Sequence, residues 1–136
     1  MEKVFVDSDI ILDLLGERQP FYPYSAMLFS AADKNELKIF VSSLSFSNLN
    51  YLLSKQFSTD RAKKILLKFK TLVTVLAVTD KIVELALSSD FRDFEDALQY
   101  YTATENSISV LLTRNLKDYK NAEISVLTAE QYIKGS

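Results

Sequence analysis

The chain has 136 residues, 48% of them apolar and 25% charged, a formal charge of −2, and neither cysteine nor histidine. A single domain over residues 1–136 is expected, long enough to bury a core without disulfides. The missing histidines exclude imidazole acid–base chemistry and histidine-ligated zinc, leaving oxygen-ligated Mg²⁺ or Mn²⁺ as the candidate catalytic metals.

The opening MEKVFVDSDIILDLL has acids interrupting its only apolar stretch, so it lacks a signal-peptide pattern. No apolar run reaches the roughly 18 residues needed to cross a bilayer, and a cytoplasmic protein is expected. Within that opening, VFVD (4–7) reads as a strand and IILDLL as the start of a helix. YSAMLFSAADKNE follows with apolar residues at 27, 28, 31 and 32, a helical spacing. LKIFVSS (37–43) is the second strand, running into Ser42, Ser43, Ser45 and Asn48. SFSNLNYLLSKQF and DRAKKILLKFK form a helix pair. In the second, Ala62, Ile65, Leu66 and Phe69 share one stripe, and Arg61, Lys63, Lys64, Lys68 and Lys70 make a solvated face. LVTVLAV (72–78) is the third strand; DKIVELALSS and FEDALQYYTATEN make another helix pair; ISVLLT (108–113) and ISVLT (124–128) close the strand set. This alternation predicts an α/β fold with a mainly parallel sheet. Only Gly16 and Gly135 are present, so there is no glycine-rich phosphate loop.

Ligands of open parallel sheets bind beyond the carboxyl ends of the strands. There the first strand ends in Asp7, with Asp9 and Asp13 close behind. The fourth ends in Thr113, Arg114 and Asn115, with Asp118 just beyond. The stretch SSDFRDFEDALQYYTATE adds Asp90, Asp93, Glu95 and Asp96 ahead of an apolar helix. Acids at a helix start answer to the macrodipole, and equally to a bound cation. A carboxylate buried like Asp7 at a strand end is costly without a partner and points to function. Asp9 fits a helix cap as well as a site. Asp13, inside IILDLL, is expected to be a solvated helix position. Asp93 fits the helix N-cap, with Asp96 completing an acidic capping box, yet Asp96 also precedes a packed face, which favours a site role. Asp118 lies in a polar loop. Tyr100 and Tyr101 are expected as core and interface aromatics.

VFVDSDIILDLL, VSSLSFSNLNYLL, DFEDALQYYTA and LLTRNLKDY resemble, in this order, the motifs of PIN-domain proteins, and the similarity extends through ERQPFYPYSAMLF and VLTAEQYI. The chain looks most like the bacterial branch related to VapC-type toxins. The resemblance implies a three-layer α/β/α domain with Mg²⁺- or Mn²⁺-dependent endoribonuclease activity. It implies an RNA substrate, an antitoxin partner and a homodimer. It places Asp7, Asp96 and Asp118 or Asn115 at the catalytic acid positions, Thr113 at the positioning hydroxyl and Asp93 as a supporting acid, so that Asp7, Asp96, Asp93 and Asp118 would ligate metal. Where many active members carry Glu, this chain has Asn48, a neutral oxygen ligand. A homodimer is also suggested by Leu49, Leu52, Leu53, Phe57, Leu66 and Phe69 on two short helices. Two other readings fit the residues. One is a catalytically weak PIN fold that binds RNA or protein, favoured by Asn48. The other is a haloacid-dehalogenase-type phosphatase, favoured by the aspartate pair in VDSDIIL.

Overall fold

A computed structural model describes residues 1–135. Its elements in chain order are β1 (Glu2–Val6), α1 (Ser8–Leu15), α2 (Tyr22–Asp33), β2 (Leu37–Ser42), α3 (Ser43–Gln56), α4 (Thr59–Lys70), β3 (Thr74–Leu76), α5 (Asp80–Leu87), α6 (Phe94–Glu105), β4 (Val110–Leu112), a 3₁₀ turn (Leu116–Tyr119), β5 (Ser125–Leu127) and α7 (Ala129–Gly135). Every strand expected from the sequence is present, most of them trimmed at the ends. The closing helix α7 and the 3₁₀ turn are additions.

The five strands form one sheet in the order β3-β2-β1-β4-β5. All four pairings are parallel, so the sheet is wholly, not mainly, parallel. Alternation along β1 builds the layers, because successive side chains leave a strand on opposite faces. Val4 and Val6 join the larger core with Ile39 and Val41 of β2 and with residues of α1 to α4. Phe5 faces the other way, into a cluster with Phe40, Tyr100, Ala103 and Leu111 beneath α6. A third cluster, around Ile82, Ala86, Ala97 and Leu98, joins α5 to α6. Helices thus cover both faces, giving three layers, α/β/α.

The chain moves outward from β1 to β2 and β3, then returns to place β4 on the other side of β1. The switch point of the sheet therefore lies between β1 and β4. Parallel sheets open a crevice at such a point, at their carboxyl edge. Asp7 directly follows β1 and Thr113 directly follows β4, so the two residues flank it.

Candidate active site

Asp7 leaves β1 as the N-cap of α1, with extended backbone. It is buried, at 7% exposure, and both its oxygens are engaged. The N–H of Ser8 donates to Oδ1 at 2.7 Å, and Gln99 Nε2 reaches the same oxygen at 3.4 Å. Thr113 Oγ1 donates to Oδ2 at 2.9 Å, and the Tyr119 hydroxyl to the same atom at 3.1 Å. Burial, and next the nearby charge of Asp9, push the Asp7 carboxyl up to about 6 against these hydrogen bonds.

Asp96 enters from the first turn of α6. Its N–H is capped by Asp93 Oδ1 at 3.0 Å, while its own Oδ1 is 3.4 Å from the Tyr119 hydroxyl. Asp93 is thus the helix cap expected, but Asp96 turns to the tyrosine and makes no reciprocal capping bond among the described residues. Burial raises Asp96 to about 7, helped by repulsion from Asp7, Asp93 and Asp118 in that order. Tyr119 itself is held far above the ordinary phenol range by burial and by the charges of Asp7 and Asp96, so it stays a donor.

Asp7 and Asp96 open onto a cleft of about 630 Å³ lined also by Asn48, Asp93, Glu95, Asn115 and Asp118. Asn48 Nδ2 lies 3.5 Å from Glu95 Oε2 across it. Asn115 and Asp118 sit exposed on the 3₁₀ turn. The six residues expected as catalytic therefore split by depth: Asp7 and Thr113 are buried, Asp96 and Asn48 are half-buried, and Asn115 and Asp118 form the outer rim. Among the described residues no three carboxylates stand close enough to hold a metal ion unaided. The donor chemistry nonetheless suits a hard cation. It is all carboxylate, amide and hydroxyl oxygen, with two facing acids raised by burial and by repulsion that a cation would relieve.

Asp9 and Asp13 serve the same corner of the fold. Asp9 Oδ2 accepts from the Arg114 N–H at 3.0 Å and lies 3.3 Å from Thr113 Oγ1, so it holds the exit of β4 and does not cap α1. Asp13 is buried at 1% exposure, contrary to the solvated position expected. The cause is Arg114, whose Nε lies 2.9 Å from Asp13 Oδ2 while its guanidinium stacks 4.1 Å from the Phe21 ring. The phosphatase reading loses its footing here. It needs an acidic pair after a later strand, and the exit of β4 supplies Thr113, Arg114 and Asn115 instead.

Two residues of the site went unread in the sequence. Gln99, at 2% exposure, accepts from Ser42 Oγ at 2.6 Å and donates to Ser45 Oγ at 3.0 Å, tying β2 and α3 to the Asp7 pocket. Its signal was a lone amide one turn after Asp96 among Ala97, Leu98 and Tyr100. Tyr119 closes the motif LLTRNLKDY, and its signal was that position alone.

Fold and cleft together define a three-layer α/β/α domain with an acidic, oxygen-only site at the switch point of a parallel sheet. The sequence model of the PIN domain matches residues 3–117. Ribonuclease VapC1 of Aquifex aeolicus (strain VF5) is 32% identical over 139 residues, covering 96% of this chain and 93% of its own. The structure of VapBC2 from Rickettsia felis, bound to a DNA fragment of its promoter, superposes with TM-score 0.68 at 18% identity, covering 92% of this chain and 96% of that one. VapC20 of Mycobacterium tuberculosis, a toxin that cleaves the sarcin-ricin loop, gives TM-score 0.64 at 19% identity over 79% of this chain and 86% of its own. The chain belongs to the PIN-domain family, in its VapC-like branch.

Proposed function

We propose that the protein is a metal-dependent endoribonuclease that hydrolyses RNA phosphodiester bonds, acting as the toxin of a toxin–antitoxin pair. One observation carries this reading. Asp7 and Asp96, 89 positions apart in the sequence, meet at a single tyrosine hydroxyl on the carboxyl edge of the sheet. A chain of ribonuclease name shares 32% identity across nearly the whole length, which supports the same chemistry.

Asp7 and Asp96 would hold Mg²⁺ or Mn²⁺, with Asn48, Asp93 and Asp118 contributing from the rim directly or through water. When bound, such an ion makes water a usable nucleophile at neutral pH and offsets charge on the phosphate. The protein's own residues do the positioning. Thr113 and Tyr119 fix the rotamer of Asp7 by donating to Oδ2, and Gln99 secures the wall made by Ser42 and Ser45. Tyr119, kept protonated, favours the ionised form of both acids.

Structures of VapBC pairs among the neighbours support a protein antitoxin as partner. The helix pair α3–α4 supports a homodimer less strongly than its composition suggests, since Leu49, Leu53, Leu66 and Phe69 are buried within the domain itself. A catalytically weak, RNA-binding PIN fold is the second reading, favoured by Asn48, whose amide faces Glu95 where a further acid would be expected.

Incubation with structured RNA in Mn²⁺ beside a thermal melt with and without the ion separates them. The nuclease reading expects RNA fragments and a Tm raised by Mn²⁺. Binding of RNA without fragments, and without an ion-induced shift, would transfer the conclusion to the binding module.

A further inference from the structure

We infer that Tyr51, with Lys55 one turn behind it on α3, is the platform on which this site stacks a base of single-stranded RNA beside the cleaved phosphate. The inference rests on the nuclease reading above and adds a substrate-holding element to it.

The buried stripe of α3 is Ser45, Leu49 and Leu53. Tyr51 lies off that stripe and is 61% exposed although it lines the same cleft as Asp7 and Asp96. Leu52, beside it, also lines the cleft and is exposed. The core therefore does not require an aromatic ring at 51. Residues 48, 51, 52 and 55 fall on one side of a helix, three to four apart. From the acidic site outward that side presents an amide, an aromatic ring with an apolar neighbour, and a cation. Lys55 Nζ sits 4.4 Å from the Tyr51 ring centroid, which holds the ring against the helix by a cation–π contact.

Charge distribution selects the occupant. The cleft floor and far wall carry Asp7, Asp93, Glu95, Asp96 and Asp118, all of which repel phosphate. The α3–α4 pair carries the opposite sign: exposed Lys55, Arg61, Lys63, Lys64, Lys68 and Lys70 against the single acid Asp60. Exposed Arg92 and Lys117 each stand beside acids of the far rim, so the strongest attraction for a polyanion reaching the cleft comes from the α3 side, where the exposed ring stands at the lip. An aromatic face combined with neighbouring cations is how proteins hold single-stranded nucleic acid with little sequence preference.

The test is cleavage kinetics in Mn²⁺ together with fluorescence anisotropy of a short labelled single-stranded RNA, on wild type, Y51A, Y51F and K55A. Light scattering and a thermal melt accompany each variant. Y51A should raise KM about tenfold, with the loss falling on KM far more than on kcat, and should weaken RNA binding in step. Y51F, which keeps the ring, should retain the wild-type KM. K55A should raise KM and flatten its dependence on salt. A wild type that cuts RNA while Y51A shows an unchanged KM overturns this inference and leaves the nuclease reading standing. A wild type that neither binds nor cuts RNA overturns both. If Y51A loses RNA affinity only as a dimer falls to monomers, Tyr51 belongs to an interface between copies and the inference is overturned.

Discussion

The hydroxyl of Tyr119 donates to Asp7 Oδ2 at 3.1 Å and lies 3.4 Å from Asp96 Oδ1. A phenol has one proton, so it serves one carboxylate at a time and becomes the shared regulator of both. Tyr119→Phe removes the one donor that, among the described residues, is common to the two acids. Their ionisation should become harder, and the acidic limb of the pH–rate profile should move to higher pH by about half a unit to one unit. Stability should fall by about 1 kcal/mol, the worth of one hydrogen bond. An acidic limb in the wild-type position would show that the tyrosine is packing and nothing more.

Asp7→Asn keeps an N-cap, since asparagine caps as well as aspartate. It removes a buried charge whose carboxyl stands at about 6 against an ordinary 3.8. At pH 8 the relief should outweigh the disturbed bonds from Thr113 and Tyr119, leaving the metal-free variant more stable by about 1 kcal/mol. Cleavage and the Mn²⁺-induced rise in Tm should both disappear. Retention of either would move the site away from Asp7.

Asp7 and Asp96 set a pH dependence whose sign follows from their direction. Both carboxyls are raised in the folded state, to about 6 and about 7, from 3.8. Their contribution to stability is therefore fully present below about pH 4 and is lost as pH rises through 6 and 7. The Tm advantage of a D7N/D96N double variant over wild type, both metal-free, should be near zero at pH 4 and widest at pH 8. Mn²⁺ should act in the opposite window, stabilising wild type at pH 8 and losing its effect as protons displace it below pH 6. Parallel Tm curves across that range would refute the assignment.

Asn48→Glu should tighten Mn²⁺ binding about tenfold, near 1.4 kcal/mol, by returning a charge to the cleft. Because Asn48 Nδ2 faces Glu95 Oε2, the same change sets two acids against each other and should lower the metal-free Tm. Calorimetric titration is the direct check. Unchanged or weaker Mn²⁺ affinity would place residue 48 outside the ion's reach.

Period and punctuation made the layers legible. The apolar run VFV at 4–6 is buried throughout, on both faces of the sheet, and of the stripe at 62, 65, 66 and 69 all but the half-buried Ile65 are buried. The helix α7 escaped notice because seven residues give too few turns for a stripe. Around the site, acids were legible wherever they broke an apolar run, as at Asp7 and Asp96. Asp13 was misread because its burial depends on Arg114, 101 positions away, and spacing within IILDLL contains nothing of that partner. Gln99 and Tyr119 are not legible for the same reason: each is buried against partners that only the topology brings to it, and in sequence both look like ordinary helix and turn residues.

The insertion of β4 beside β1 has a consequence for the protein's birth. During synthesis the chain emerges with Asp7 in its first strand, while Thr113 and Tyr119, which hold that carboxylate, come at the far end. Until Leu111 and Leu112 pair with Phe5 and Val6, one edge of β1 is bare and the crevice has a single wall. A nascent chain that has not yet delivered β4 therefore holds Asp7 without the donors that fix its carboxylate. The corner around Asp7 closes only once β4 and the 3₁₀ turn have been made.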